Sequence, residues 1–338
     1  MAEMIGKQSI KFENPPYILA TANIVGKKEG EGPLGNKFDV IGDDDLFGED
    51  TWEEAESSMQ KKVAGWAIKN AKLTNQEIRY IFAGDLLGQA IATSFGLLDY
   101  NIPLFGLYGA CSTAGESLSL SAMTVAAGYA DNVLAVTSSH FASAEKQFRY
   151  PLDYGNQRPL AASWTVTGSG AFVVSNKNSK VKISGITTGK IVDYGVKDSM
   201  NMGAAMAPAA CDTIYQNLVD FNLQPEYYDK IVTGDLGYIG SDILIELLKE
   251  KGYDISKLHM DCGKEIFDQQ TQDTHAGGSG CGCAATTLSA YLLKELEKGT
   301  MNKILFVPTG ALLSTVSYNE GKSVPGIAHG VMIESCKL

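Results

Sequence analysis

Short motifs of the first half of the chain recur in the same order in the second half, and no other feature restricts the fold as strongly. Ile81-Phe-Ala-Gly-Asp85-Leu is answered by Ile231-Val-Thr-Gly-Asp235-Leu, and Val133-Leu-Ala-Val136 by Ile304-Leu-Phe-Val307. Gly170-Ala-Phe-Val is answered by Gly330-Val-Met-Ile, and Ile18-Leu-Ala-Thr-Ala-Asn-Ile by Val181-Lys-Ile-Ser-Gly-Ile-Thr. The order is kept while the offset drifts between about 150 and about 171 residues, as loop insertions in a duplicated unit would produce. Segments rich in β-branched residues alternate with helix-period segments, which predicts an α/β chain. Residues 1–178 and 179–338 are therefore expected to be two β/α halves that share one core.

Within the first half, strands are expected at Ile18 to Val25, Arg79 to Ala83, Leu104 to Ala110 (a buried strand), Val133 to Ser138 and Gly170 to Ser175. Thr51-Trp52-Glu53-Glu54 has capping-box spacing. Ala55, Met59, Val63, Trp66 and Asn70 then mark one helical face. Further helices are expected at Leu86 to Leu98 and at Thr113 to Tyr129, with Ala284 to Lys298 as the counterpart of the latter.

Charge narrows the class of partner. The 338 residues carry a formal net charge of -11, and nine acidic residues without a basic one lie between Asp39 and Glu56. Outside that loop the chain is nearly neutral, so no basic footprint for nucleic acid exists. No run reaches the roughly 18 apolar residues of a spanning helix. The first residues lack the apolar core of a signal peptide, which predicts cytoplasmic synthesis. Six Cys in so long a chain are too sparse for a disulfide framework.

Chemistry concentrates at three places. In Gly109-Ala110-Cys111-Ser112-Thr113-Ala114-Gly115 a cysteine sits between a strand and a small-residue helix. The unpaired N–H groups at such a helix start favour thiolate, so a lowered pKa is expected for Cys111, with a packed free thiol as the plainer alternative. The Gly-rich run His275-Ala-Gly-Gly-Ser279-Gly-Cys281-Gly-Cys283 is the second-half counterpart of that elbow and reads as a pocket-lining loop. With Cys262 it holds zinc-type ligands but not two paired clusters, so no metal and no cofactor are expected. Two of the three Arg, Arg149 and Arg158, lie in one irregular stretch with His140 and Lys146 nearby, a candidate clamp for a carboxylate. Asp85 and Asp235 each end a strand before a helix and read as N-caps. His329 reads as a core or turn residue and His259 as a surface one. Asp43 to Glu54 partly mimics a calcium loop, but Phe47 stands where an oxygen ligand is needed.

A cysteine on an Ala-Cys-Ser elbow inside a duplicated β/α unit resembles the thiolase and β-ketoacyl synthase fold, a duplicated five-layered αβαβα architecture, over nearly the whole chain. Thr137-Ser-Ser-His140, Arg158-Pro159, Trp164-Thr-Val-Thr-Gly168 and His275 to Cys283 more closely resemble the stage V sporulation protein AD family of spore-forming bacteria. That resemblance implies a spore protein that binds dipicolinic acid (pyridine-2,6-dicarboxylate), free or as its calcium chelate. It further implies a homodimer, built through the strand near Val133 to Ser138, and peripheral placement at the inner spore membrane with other stage V sporulation A membrane proteins.

Carried over, the resemblance puts Cys111 at the nucleophile's position, while condensing enzymes add His with His or Asn on second-half loops. Here those loops are Thr233-Gly-Asp235-Leu-Gly and Gly277 to Cys281, and neither offers His or Asn at the matching place. A carboxylate at Asp235 facing the pocket would oppose both a thiolate and a developing enolate. The expected function is thus non-catalytic binding of dipicolinate and help with its uptake into the developing spore. Expected ligand-binding residues are Cys111, His140, Arg149, Arg158, His275, Ser279, Cys281 and Cys283. The alternatives are an acyltransferase or condensing enzyme using Cys111 with His275 or His329 as base, and a scaffold that docks membrane-channel partners.

Overall fold

In this computed structural model, which describes residues 2–148 and 157–336, ten strands form one continuous path. In chain order they are β1 (Tyr17–Val25), β2 (Tyr80–Asp85), β3 (Leu104–Gly106), β4 (Asn132–Ser139), β5 (Gly168–Ser175), β6 (Val181–Thr187), β7 (Lys230–Thr233), β8 (His259–Asp261), β9 (Lys303–Val307) and β10 (Gly330–Ser335). The helices that matter are α1 (Trp52–Asn70), α2 (Ile91–Leu97), α3 (Thr113–Ala126), α4 (Phe141–Phe148), α5 (Met202–Asp220), α6 (Gly237–Glu250) and α7 (Cys281–Thr287). A π-helical stretch, Leu288–Leu292, continues α7 into Leu293–Lys298.

Strand order across the sheet is β8-β7-β9-β10-β6-β1-β5-β4-β2-β3. Read outward from its middle, β1-β5-β4-β2-β3 and β6-β10-β9-β7-β8 are the same order, and each repeated motif occupies the matching strand of its half. The two sets join where Ile18 and Tyr17 of β1 pair with Val181 and Lys182 of β6. In both sets the strands that carry Cys-side chemistry run parallel, β4 with β2 and β9 with β7, so their carboxyl ends open on one edge.

Alternation along the strands builds the layers. Val133 and Ala135 of β4, with Ile304 and Phe306 of β9, join α3 and α7 in a central apolar cluster. Leu134 and Val136 face the other way, onto Met59, Val63 and Ala67 of α1. Leu305 and Val307 likewise meet Met206, Ala210 and Ile214 of α5. The molecule is thus helix, sheet, helix, sheet, helix, the duplicated five-layered α/β arrangement of the thiolase-like fold. The two helices expected to be buried, α3 and α7, fill the middle.

Three local expectations need correction. Leu104 to Ala110 is neither wholly strand nor wholly buried: only Leu104–Gly106 pairs, on one side, and these residues are exposed, whereas Leu107, Gly109 and Ala110 are buried. The helix expected from Leu86 starts only at Ile91, because Ala90 takes a left-handed backbone (φ 49°) that a right-handed helix cannot cross. The strand expected to continue a sheet across a dimer axis, β4, is internal: it pairs with β2 and β5 along its length and every residue is buried. The free edge on that side belongs to β3.

Candidate functional site

The cysteine elbow forms as a strained turn. Ala110, just before Cys111, has φ 48°, a conformation costing a non-glycine residue about 1–3 kcal/mol. Local hydrogen bonds hold it: Thr113 Oγ1 donates to Ala110 O (2.7 Å) and accepts from Gly109 N–H (3.1 Å), and Ser112 Oγ donates to Gly109 O (2.7 Å). The second half closes over it at Gly310, where any Cβ would overlap the Gly109 carbonyl oxygen. Cys111 consequently sits at the start of α3, facing the corresponding start of α7.

A two-residue ribbon brings the second half to the thiol. Gly278–Ser279 pairs in parallel with Trp164–Thr165, and Ser279 Oγ lies 3.5 Å from Cys111 Sγ. Cys281 Sγ donates to Ala110 O at 2.9 Å. Tyr108, Phe148, Thr165, Met202 and Ser279 line the remaining cleft over Cys111. Its free space is about 20 Å³, on the scale of one water molecule. A larger guest therefore enters only when side chains such as Phe148 and Tyr108 swing aside.

Burial overturns the expectation of a thiolate. Removal from water, reinforced by Asp235, pushes the Cys111 pKa well up, against weaker opposition from Ser279 and the Gly280 N–H. The thiol is neutral because the second half seals the helix start that would otherwise stabilise its charge. Asp235 itself is fully buried, which drives its carboxyl far above the carboxylate range, with Asp261 adding to the shift. Neither of its oxygens makes a hydrogen bond of good geometry. The nearest donors are the N–H groups of Thr309 and Gly280, and the latter is shared with Cys111.

The N-cap reading accordingly separates for the two repeated aspartates. Asp85 accepts from Leu87 N–H (3.1 Å) and from Thr93 N–H and Oγ1 (3.0 and 2.8 Å) in the first turn of α2. Asp235 caps nothing. Its duty falls to Asp261 on the neighbouring strand β8, which accepts from Leu236 N–H and Gly237 N–H at the start of α6 (3.0 and 2.9 Å). Nothing in the sequence around Asp261 signals that role, because it reaches across from another strand.

The other expected residues lie apart from the cleft. Cys283 is buried behind it, donating to Gly234 O at 3.2 Å. His140 receives Ala142 N–H on Nδ1 (3.2 Å) and so donates through Nε2 to Asp45 O (2.7 Å); burial lowers its pKa. Arg158 donates to Asp273 O and Oδ2 (2.8 and 3.2 Å), and His275 is held between Asp273 Oδ1 and Pro159 O, each at 3.0 Å. Arg149 lies outside the described residues. His329 is a core residue, accepting Gly189 N–H at 3.3 Å. His259 is partly buried rather than a free surface residue: it bonds Thr233 Oγ1 at 2.8 Å, and burial lowers its pKa to about 4.

Trp164 organises this outer region on the far side of the ribbon from Cys111, since neighbouring residues of a strand face opposite ways. Phe141 stacks on it at 3.9 Å, and both Lys28 Nζ (4.2 Å) and the Arg158 guanidinium (4.6 Å) sit over its ring. An open cavity of about 660 Å³ lies here, lined by Lys27, Lys28, His140, Phe141 and Trp164 and rimmed by Asp43, Asp44 and Asp45. Lys28 carries no motif and was invisible to sequence reasoning.

The model of the family "Stage V sporulation protein AD" matches residues 6–334. The stage V sporulation protein AD of Bacillus subtilis (strain 168) is 41% identical over 332 residues, 98% of each chain. Among solved structures, 3-oxoacyl-[acyl-carrier-protein] synthase III from Aquifex aeolicus is similar with a TM-score of 0.57 at 14% identity, covering 94% of this chain and 99% of that one. Xanthomonas campestris OleA with cerulenin bound gives 0.59 at 14% identity, covering 98% of each. Likeness at that identity establishes the fold and nothing of the chemistry.

Proposed function

The chain belongs to the stage V sporulation protein AD family, and on that premise we propose that it is a non-condensing sporulation protein that binds dipicolinate at the Cys111 cleft and assists its uptake into the developing spore. One observation carries the reading: the elbow cysteine is kept with Ser279 and a buried Asp235 beside it, and among the described residues no imidazole or side-chain amide lines its cleft. A Claisen step needs a group that stabilises negative charge as it develops. The step also starts from a thiolate, and a neutral buried thiol beside a protonated carboxyl, which cannot take up its proton, is a poor nucleophile.

Binding suits the same groups. The cleft holds neutral donors, the Ser279 hydroxyl, the Cys111 thiol and the Gly280 N–H, at the positive end of α3. The outer cavity is less suited to a free dianion because its rim is acidic; a calcium chelate, being neutral overall, is not excluded by charge there. His140, Arg158 and His275 would act on a ligand only through that outer side.

A homodimer across β3, and docking on other stage V sporulation A membrane proteins at the inner spore membrane, complete the proposal. Among the described residues no helix is long and apolar enough to cross a membrane, so such placement would be by partners.

Titration of the purified protein with dipicolinate, beside an acyl-thioester loading assay read by intact mass, separates binding from condensation. Saturable binding without mass gain is expected. Acyl loading on Cys111 followed by turnover would defeat the binding reading.

A further inference from the structure

Asp235 caps no helix, and its nearest donors are the main-chain N–H groups of Thr309 and Gly280. Its counterpart Asp85 caps α2, and Asp261 has taken over capping of α6, so the carboxyl is free of the helix it precedes. It is 1% exposed, and both its oxygens, like the adjoining Thr309 hydroxyl, lack a hydrogen bond of good geometry. Groups left buried and unmet in this way are destabilising unless a partner satisfies them. Neither Asp235 nor Thr309 lines the Cys111 cleft in its closed form, but Gly280 does, and its N–H faces both the Asp235 carboxyl and Cys111 Sγ, so the carboxyl lies one residue behind the cleft wall.

We propose that Asp235 is a ligand-binding residue that works as a neutral carboxylic acid, donating its proton as a hydrogen bond to a carboxylate or ring nitrogen of a planar anionic ligand seated against Cys111 and Ser279. The inference rests on the binding reading above and names the group that makes an acidic protein accept a dianion. An ionised Asp235 would repel that ligand, whereas a protonated one supplies the donor that the fold leaves unused. The groups facing it keep it neutral. From β8 comes the carboxyl of Asp261, and the thiols of Cys262, Cys281, Cys283 and Cys111 supply no positive charge.

The test compares wild-type protein with Asp235→Asn and Asp235→Leu, each checked for folding by circular dichroism. Dipicolinate without metal is titrated near neutral pH, and infrared difference spectra between wild type and Asp235→Asn are recorded. The expected spectrum contains the carbonyl stretch of a protonated carboxylic acid that the Asn variant lacks. The Asn variant, which keeps an N–H donor, should bind within about threefold of wild type, and the Leu variant about tenfold or more weakly. Absence of the band, or an Asn variant that binds more than about tenfold tighter, would mean an ionised and repelling carboxylate, and would overturn the proposal. Equal affinity in the Leu variant would also overturn it. Wild-type protein that shows the band yet takes up no dipicolinate would instead overturn the binding reading, together with the ligand hydrogen bond.

Discussion

At Cys111 the local and the global parts of a residue's environment separate. Strand, turn and small-residue helix are all short-range features, so the elbow was legible from Gly109 to Gly115. The protonation state was not, because it is set by Ser279, Gly280 and Asp235, some 120 to 170 positions away in the sequence. A neutral, buried thiol predicts slow alkylation. Iodoacetamide near neutral pH should modify Cys336 first, as five of the six cysteines are buried and Cys336 is not. Peptide mapping that finds Cys111 labelled ahead of Cys336 would mean that the thiol is ionised after all. Cys111→Ala removes one weak contact to Ser279 and leaves a small void, so dipicolinate affinity should fall by about 1–2 kcal/mol. A loss far beyond that would mean the sulfur does more than line the cleft.

Among the elements, α1 shows how sequence patterns and buried chemistry meet. Its start was legible: Thr51 Oγ1 accepts Glu54 N–H at 3.2 Å, and Ala55, Met59 and Val63 are buried as their spacing predicted. What periodicity could not show is that Glu56 and Gln60, polar residues on the same helix, point inward. Ser138 and Ser143 donate to the Glu56 carboxyl at 2.8 and 2.9 Å, and Gln60 Nε2 donates to Ser138 Oγ (2.8 Å) and Thr93 Oγ1 (3.0 Å). Burial first, then the neighbouring Asp85, raises the Glu56 pKa from 4.5 to about 8. The folded protein therefore holds a proton there that the unfolded chain releases. Its contribution to stability is fully present below about pH 4.5 and is lost as the pH rises to about 8, with a slope of at most about 1.4 kcal/mol per pH unit. Glu56→Gln should flatten that part of the pH dependence and raise the melting temperature on the alkaline side, as followed by circular dichroism. An unchanged pH profile in the variant would place the slope elsewhere. By contrast, Thr51→Ala touches only the cap and should cost about 1 kcal/mol at any pH in denaturant unfolding.

For the whole molecule, the duplication was legible because strand motifs such as Ile81 to Leu86 and Ile231 to Leu236 keep their apolar pattern wherever a strand is covered on both faces. The edge was not, since Leu104–Gly106 is equally apolar and yet exposed. A sequence window cannot tell an apolar run that faces a core from one that awaits a partner. Phe95, Leu98 and Phe105 are 68%, 70% and 53% exposed, and Leu104 and Tyr108 are also open to solvent. The outer backbone edge of β3 pairs with no other strand among the described residues. An apolar edge strand of this kind is an association site, and two copies related by a two-fold axis would pair β3 with β3 antiparallel and cover the flanking side chains. The expected mass in solution is therefore twice the 36.2 kDa of one chain. Phe105→Lys places two like charges close to the axis and should shift multi-angle light scattering toward monomer at micromolar concentration. The same change removes the stack of Phe105 on Phe82, ring centroids 5.2 Å apart, and should cost the fold about 0.5–1.5 kcal/mol. Wild-type protein that runs as a monomer would refute pairing at this edge. A dimer untouched by Phe105→Lys would refute it equally, since the contact would then have to lie on another face.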